Sequence, residues 1–266
     1  MKMTKETLRK PFSAARVVLL AKNRALEDLP AFGIGAGILA GLNLLTIIAT
    51  RRAMMNDSNG QSWAVIISIA GFFLAAAAFK GMHDGRAGTE WILLPATSLE
   101  KYTAALVFYA IIYPLVAAAT ATALSALLSL VELIAGGPGG RIWNPLSAGF
   151  DGWVNYATGA LIFAAGSAAF RKRAFIKTVG VSVAYALACM GLLLAGMLLI
   201  RRVQGLPLSF TGSFQNEMSF SGNITPGAQR AMDVIEKIVR YALIPLFAIF
   251  YGYFRVAEKE ARDEVQ

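Results

Sequence analysis

Residues 29–50 read LPAFGIGAGILAGLNLLTIIAT, a run without one charged side chain. A bilayer's hydrocarbon core is about 30 Å thick, and a helix needs roughly 20 mostly apolar residues to cross it. This run is long enough to do so. Five more follow it, at residues 62–79, 102–131, 154–170, 178–200 and 239–254. All are continuous and rich in Leu and Ala. Strands of a membrane barrel would alternate apolar and polar residues instead. The sequence therefore predicts an all-α, polytopic membrane protein with six transmembrane helices.

Composition agrees. Of the 266 residues, 56% are hydrophobic and only 15% charged, against roughly 25% charged in a soluble domain. Mean hydropathy is +0.56. A soluble enzyme, a disordered chain and a collagen-like fibre are excluded. The chain carries 25 Lys+Arg against 16 Asp+Glu, a formal charge of +9. In a soluble protein that excess suggests nucleic acid; in a membrane protein it sets orientation. With the N-terminus inside, 17 of the 25 basic residues fall in inner segments and eight in outer ones. The expected topology has both termini cytoplasmic, and no nucleic-acid partner is expected.

Three regions follow: a cytoplasmic interfacial segment (1–28), a six-helix transmembrane domain (29–254) and a cytoplasmic tail (255–266). Phe12, Ala15, Leu19 and Leu26 fall near helical spacing, with Arg16, Lys22 and Arg24 between them. That pattern predicts a short helix on the inner leaflet before the first span. No cleavable signal peptide is expected, because the apolar run 17–21 stops at Lys22, Asn23 and Arg24. Gly33, Gly37 and Gly41 are four apart and share one helix face, where a neighbouring helix can come close, within the chain or from another subunit. The outer segment 203–233 alternates small polar and aromatic residues and reads as a short hairpin or an irregular loop. Asn223-Ile224-Thr225 fits a glycosylation sequon. Residues 136–140 are a glycine-proline turn, not a phosphate loop.

The most informative stretch joins the second and third spans, at residues 80–101. Glycines give way to Trp91-Ile92-Leu93-Leu94, then Pro95 stops the piece. Ser98 is expected to cap a helix that begins at Leu99. The order Phe79, His83-Asp84, Gly88-Thr89, then Trp91-Ile92-Leu93-Leu94-Pro95-Ala96-Thr97-Ser98-Leu99-Glu100-Lys101 resembles an element of type-2 ABC transporter permeases. In that family a Leu-Pro-(Ala/Val)-Ser turn precedes the third helix. The likeness covers about 25 residues in sequence and the whole chain in layout.

The resemblance implies a membrane-spanning subunit of an exporter in the bacterial inner membrane. A separate nucleotide-binding ATPase subunit would power it, and the membrane subunits would pair as a homodimer or heterodimer. It also implies that 80–101 is the coupling segment. His83, Asp84, Glu90, Trp91, Leu94, Pro95, Glu100 and Lys101 are its candidate residues, with Glu90, Glu100 and Lys101 as polar contacts. The outer segment is short for the family, which weighs against a large cargo. The alternative for the whole chain is a non-transporting integral membrane scaffold or assembly protein. The alternative for the segment is an orienting loop with Trp91 as interface anchor.

Catalytic chemistry is sparse. The lone Cys189 and lone His83 build no disulfide, metal cluster or catalytic pair, so no enzyme activity, metal or cofactor is expected. Ionisable residues inside a bilayer usually mark a transport path. The nearest case is Glu132, which is expected to reach water from its helix end.

Overall fold

The computed structural model describes residues 12–50, 52, 61–84, 91, 96–139, 142–204, 230, 234 and 237–263. The described residues are mostly helical, with no strand among them. The helices are α1 (Ala14–Thr50), α2 (Gln61–Ala77), α3 (Ser98–Val107), α4 (Tyr113–Ile134), α5 (Gly149–Ala169), α6 (Ala174–Gln204) and α7 (Ile244–Asp263). A π turn, Phe108–Ile112, joins α3 to α4 in one rod of 37 residues. A second π turn, Val239–Leu243, precedes α7.

Five stretches are long and apolar enough to cross a membrane: Ala14–Thr50, Ser62–His83, Ser98–Ile134, Ala174–Gly191 and Val239–Ala261. The chain is thus a helical protein of multi-pass membrane character. The expected fourth span, 154–170, falls in α5, which is not among the five. Asp151, Asn155, Gly159 and Ser167 dilute its apolarity.

The chain divides into two compact units. The second, Ile176–Ile244, contains most of α6, whose Val181, Val183, Tyr185 and Leu187 are exposed, and the free Cys189. The expected hairpin at 203–233 and the sequon lie almost wholly outside the described residues. The first unit, Met1–Phe175 with Pro245–Gln266, carries the candidate site.

Within that unit, side-chain pairings fix the directions. Arg16 meets Glu100, Arg24 meets Tyr109, and Phe32 meets Tyr113, so α1 runs parallel to the 98–134 rod. Phe79 stacks on Tyr102 while Tyr113 bonds the Ile67 carbonyl, so α2 runs antiparallel to it. Tyr102 reaches Ala248 and Lys101 reaches Glu260, so α7 is antiparallel as well. The rod is the axis: 56% of its most apolar window is buried, against 11% for α1.

Small residues let the helices approach. In lipid, contact between helices hides no surface from water, so close packing and hydrogen bonds do the work. Ala160, Ala164 and Ala168 recur every fourth residue on α5 and are all buried, as are Ala104, Ala105, Ala117, Ala118 and Ala121 on the rod. Three glycines act as notches. A Cβ on Gly71 would lie 2.7 Å from Tyr113 Cε1 and 2.8 Å from Tyr156 Cε2. One on Gly159 would lie 2.6 Å from Phe72, and one on Gly252 would strike the Tyr102 hydroxyl. The glycines expected to pack, Gly33, Gly37 and Gly41, have nothing within 4 Å of an added Cβ. Among the described residues nothing packs on that face.

The π turn at 108–112 has a local cause. Its wider register sends the Tyr113 N–H to the Phe108 carbonyl. The next carbonyl, Tyr109, would accept from residue 114, but Pro114 has no N–H. Tyr156 of α5 supplies the missing donor, with its hydroxyl 2.9 Å from the Tyr109 oxygen. Tyr156→Phe is therefore expected to leave a buried carbonyl unpaired and cost about 1–3 kcal/mol. Thermal unfolding of the purified protein would measure the loss.

One expected element is corrected. Residues 14–28 do not form a separate surface helix; they are the first part of α1, which continues to Thr50 with Pro30 inside it. Arg16 and Arg24, named as the basic residues of that surface helix, dock on Glu100 and Tyr109 of the rod. Those bonds hold the segment in line with the span.

Candidate functional site: the anchored segment before the third span

The site starts with a helix cap. Thr97 is the N-cap of α3, not Ser98: its hydroxyl accepts from the Glu100 N–H at 3.3 Å, and Glu100 Oε2 accepts from the Thr97 N–H at 2.9 Å. This reciprocal box needs Ser or Thr three residues before Glu or Gln. Thr97 meets that spacing with Glu100, and Ser98 does not.

The same carboxylate does more than cap. Glu100 has no solvent exposure. Its Oε1 accepts from the Ser13 N–H at 2.6 Å and from Arg16 Nη2 at 2.8 Å, while Arg16 Nε lies 3.1 and 3.2 Å from the two oxygens. A buried carboxylate is tolerated only when so many donors replace water.

Its neighbour turns the other way. Lys101, also buried, donates to the Trp91 carbonyl at 2.7 Å and to Glu260 Oε1 at 2.9 Å. Its ammonium lies 5.5 Å from the centre of the Trp91 ring, within cation–π range. Glu260 of α7 also accepts from Trp91 Nε1 at 3.1 Å and from the Ser98 hydroxyl. Consecutive residues of one helix thus grip both terminal helices: Glu100 holds the start of α1, and Lys101 holds the end of α7. Trp91 also meets Phe79, just past the end of α2, edge-on at 5.9 Å.

At the head of the segment, Ser167 of α5 accepts from the Phe79 N–H at 2.9 Å through its hydroxyl. His83 Nε2 donates to the Ser167 carbonyl at 3.2 Å, which places the ring proton on that nitrogen. Asp84 is exposed beside it.

Of the candidate residues, the structure gathers Trp91, Glu100 and Lys101, places His83 on α5 and leaves Asp84 in solvent. Glu90, Leu94 and Pro95 lie outside the described residues. Glu100 and Lys101, expected as polar contacts for a partner, are enclosed by the chain itself and act as anchors. Sequence reading missed Ser13, Arg16 and Glu260, which lie 84 to 169 positions from the residues they bind. It also missed the bridge that Tyr109 forms between Arg24 (3.1 Å) and Asp28 (3.0 Å) beside the π turn. Among the described residues no group of His, Cys, Asp and Glu is placed to hold a metal. Comparison with protein-family models, curated proteins and solved structures finds no match to this chain.

Proposed function

We propose that this chain is the membrane-spanning subunit of a bacterial ABC-type exporter, located in the inner membrane and powered by a separate ATPase subunit. Residues 80–101 face the ATPase from the cytoplasmic side. The observation that carries the reading is the double anchor. A push on this segment passes through Glu100 to Arg16 on α1 and through Lys101 to Glu260 on α7. A topogenic loop has no need of two ion pairs built on the buried Glu100 and Lys101, whereas a coupling segment needs stiff links to the helices it moves. The sequence resemblance at Trp91–Lys101 supports the same assignment.

Purification with the ATPase encoded beside it tests the reading. Trp91→Ala together with Leu94→Asp should abolish co-purification while the membrane subunit still folds. An unchanged complex rules the coupling role out. The second reading, a membrane scaffold, draws on the open Gly33-Gly37-Gly41 face. It expects stable assembly with another membrane protein and no dependence on any ATPase.

A further inference from the structure

The first unit has a charged corner where α2 and α5 end side by side. Ser167, in the last turn of α5, meets the Phe79 N–H through its hydroxyl at 2.9 Å and His83 through its carbonyl at 3.2 Å. Lys80 therefore lies beside the short turn that follows α5. That turn is Phe170, Arg171, Lys172 and Arg173, and Ala174 already opens α6. Arg173 closes it with a φ of 54°, in the left-handed region that non-glycine residues seldom enter. Lys80, Arg171, Lys172 and Arg173 are all exposed. None of the four side chains has a hydrogen bond or an ion pair to another residue. Arg16, Arg24, Lys101 and Arg255, by contrast, are all engaged. The exposed Asp84 close by leaves the corner with a positive surplus.

Beneath the cations lies an aromatic shelf. Phe175, two residues after Arg173, stacks on Phe73 of α2 with ring centres 3.9 Å apart. Phe73 is 53% exposed. Lys80 comes seven residues after it, a rise of about 10 Å along a helix. An open apolar surface about 10 Å below a group of unpaired cations has the outline of a lipid with a negative headgroup. Orientation in the bilayer asks only for positive charge on one side. It asks for no exposed rings at a set depth under that charge. A soluble anion would leave the rings uncovered.

We propose that this corner holds an anionic phospholipid: Lys80, Arg171, Lys172 and Arg173 take the phosphate, and the Phe73–Phe175 stack takes the upper part of an acyl chain. Basic segments at a membrane surface are drawn to anionic lipid in just this way. The site rests on the multi-pass membrane character of the chain and not on the exporter reading.

Native mass spectrometry of the purified full-length protein tests the site, with dioleoyl-phosphatidylglycerol and dioleoyl-phosphatidylcholine offered at equal concentration. Phosphatidylglycerol should be retained in preference, and each cation removed should weaken its retention about fivefold. Arg171→Gln, Lys172→Gln and Arg173→Gln together should lower it about a hundredfold, to the level of phosphatidylcholine. Those three charges also help to orient the chain, so a second protein carries Lys80→Gln with Phe73→Ala and keeps the triplet. Its retention of phosphatidylglycerol should still fall, by at least about fivefold. Equal retention of the two lipids by the wild type overturns the proposal. So does undiminished retention of phosphatidylglycerol by the folded Lys80→Gln/Phe73→Ala protein. Displacement of the lipid by free glycerol 3-phosphate at the same concentration assigns the cations to a soluble anion and overturns it as well.

Discussion

Arg16→Met is expected to destabilise the protein by about 3 kcal/mol, seen as a lower midpoint of thermal unfolding in detergent. Methionine keeps the aliphatic stem and removes the guanidinium. Glu100 then stays fully enclosed with only the Ser13 and Thr97 N–H groups on its oxygens. Breaking a buried pair by removing one partner costs about 3–5 kcal/mol. The lower end applies because the Arg16 side chain is 31% exposed. Glu100→Gln should cost less, since an amide strands no charge.

Gly71→Val should destabilise by about 3 kcal/mol, whereas Gly37→Val should leave the unfolding midpoint of the single chain unchanged. A side chain at Gly71 enters between two fixed rings, at 2.7 Å from Tyr113 and 2.8 Å from Tyr156. Neither ring can swing aside: Tyr113 bonds the Ile67 carbonyl and Tyr156 the Tyr109 carbonyl. Gly37 has open space around it. If the chain pairs through this glycine face, Gly37→Val should weaken the dimer by size-exclusion analysis without altering the fold. The two measurements separate helix packing inside the chain from packing between chains.

The helices were legible because their signal is local. Runs of about 20 apolar residues declare themselves wherever they occur, and the Thr97-x-x-Glu100 cap could be read from spacing alone. The cap was nevertheless placed one residue late, on Ser98, because Thr and Ser stand side by side and only the position of Glu100 decides between them. Residues 14–28 were expected as a separate surface helix, since basic residues among apolar ones fit an interfacial pattern as well as a helix docked on a neighbour. Gly33, Gly37 and Gly41 drew attention through their regular spacing. Gly71, Gly159 and Gly252 do the packing with no spacing to mark them.

The sequence by itself determined that this is an all-α chain of multi-pass membrane character, and it singled out residues 80–101 as the stretch unlike plain membrane helix. Apolar length and charge distribution suffice for that, because each is a property of contiguous residues. Only the tertiary structure decided that Glu100 and Lys101 face inward, that Arg16 and Glu260 are their partners, and that Glu132 is enclosed rather than wet. The direction of a charged side chain depends on which helix lies beside it. That neighbour is set by the packing of alanines, glycines and tyrosines from distant segments, none of which the local pattern contains.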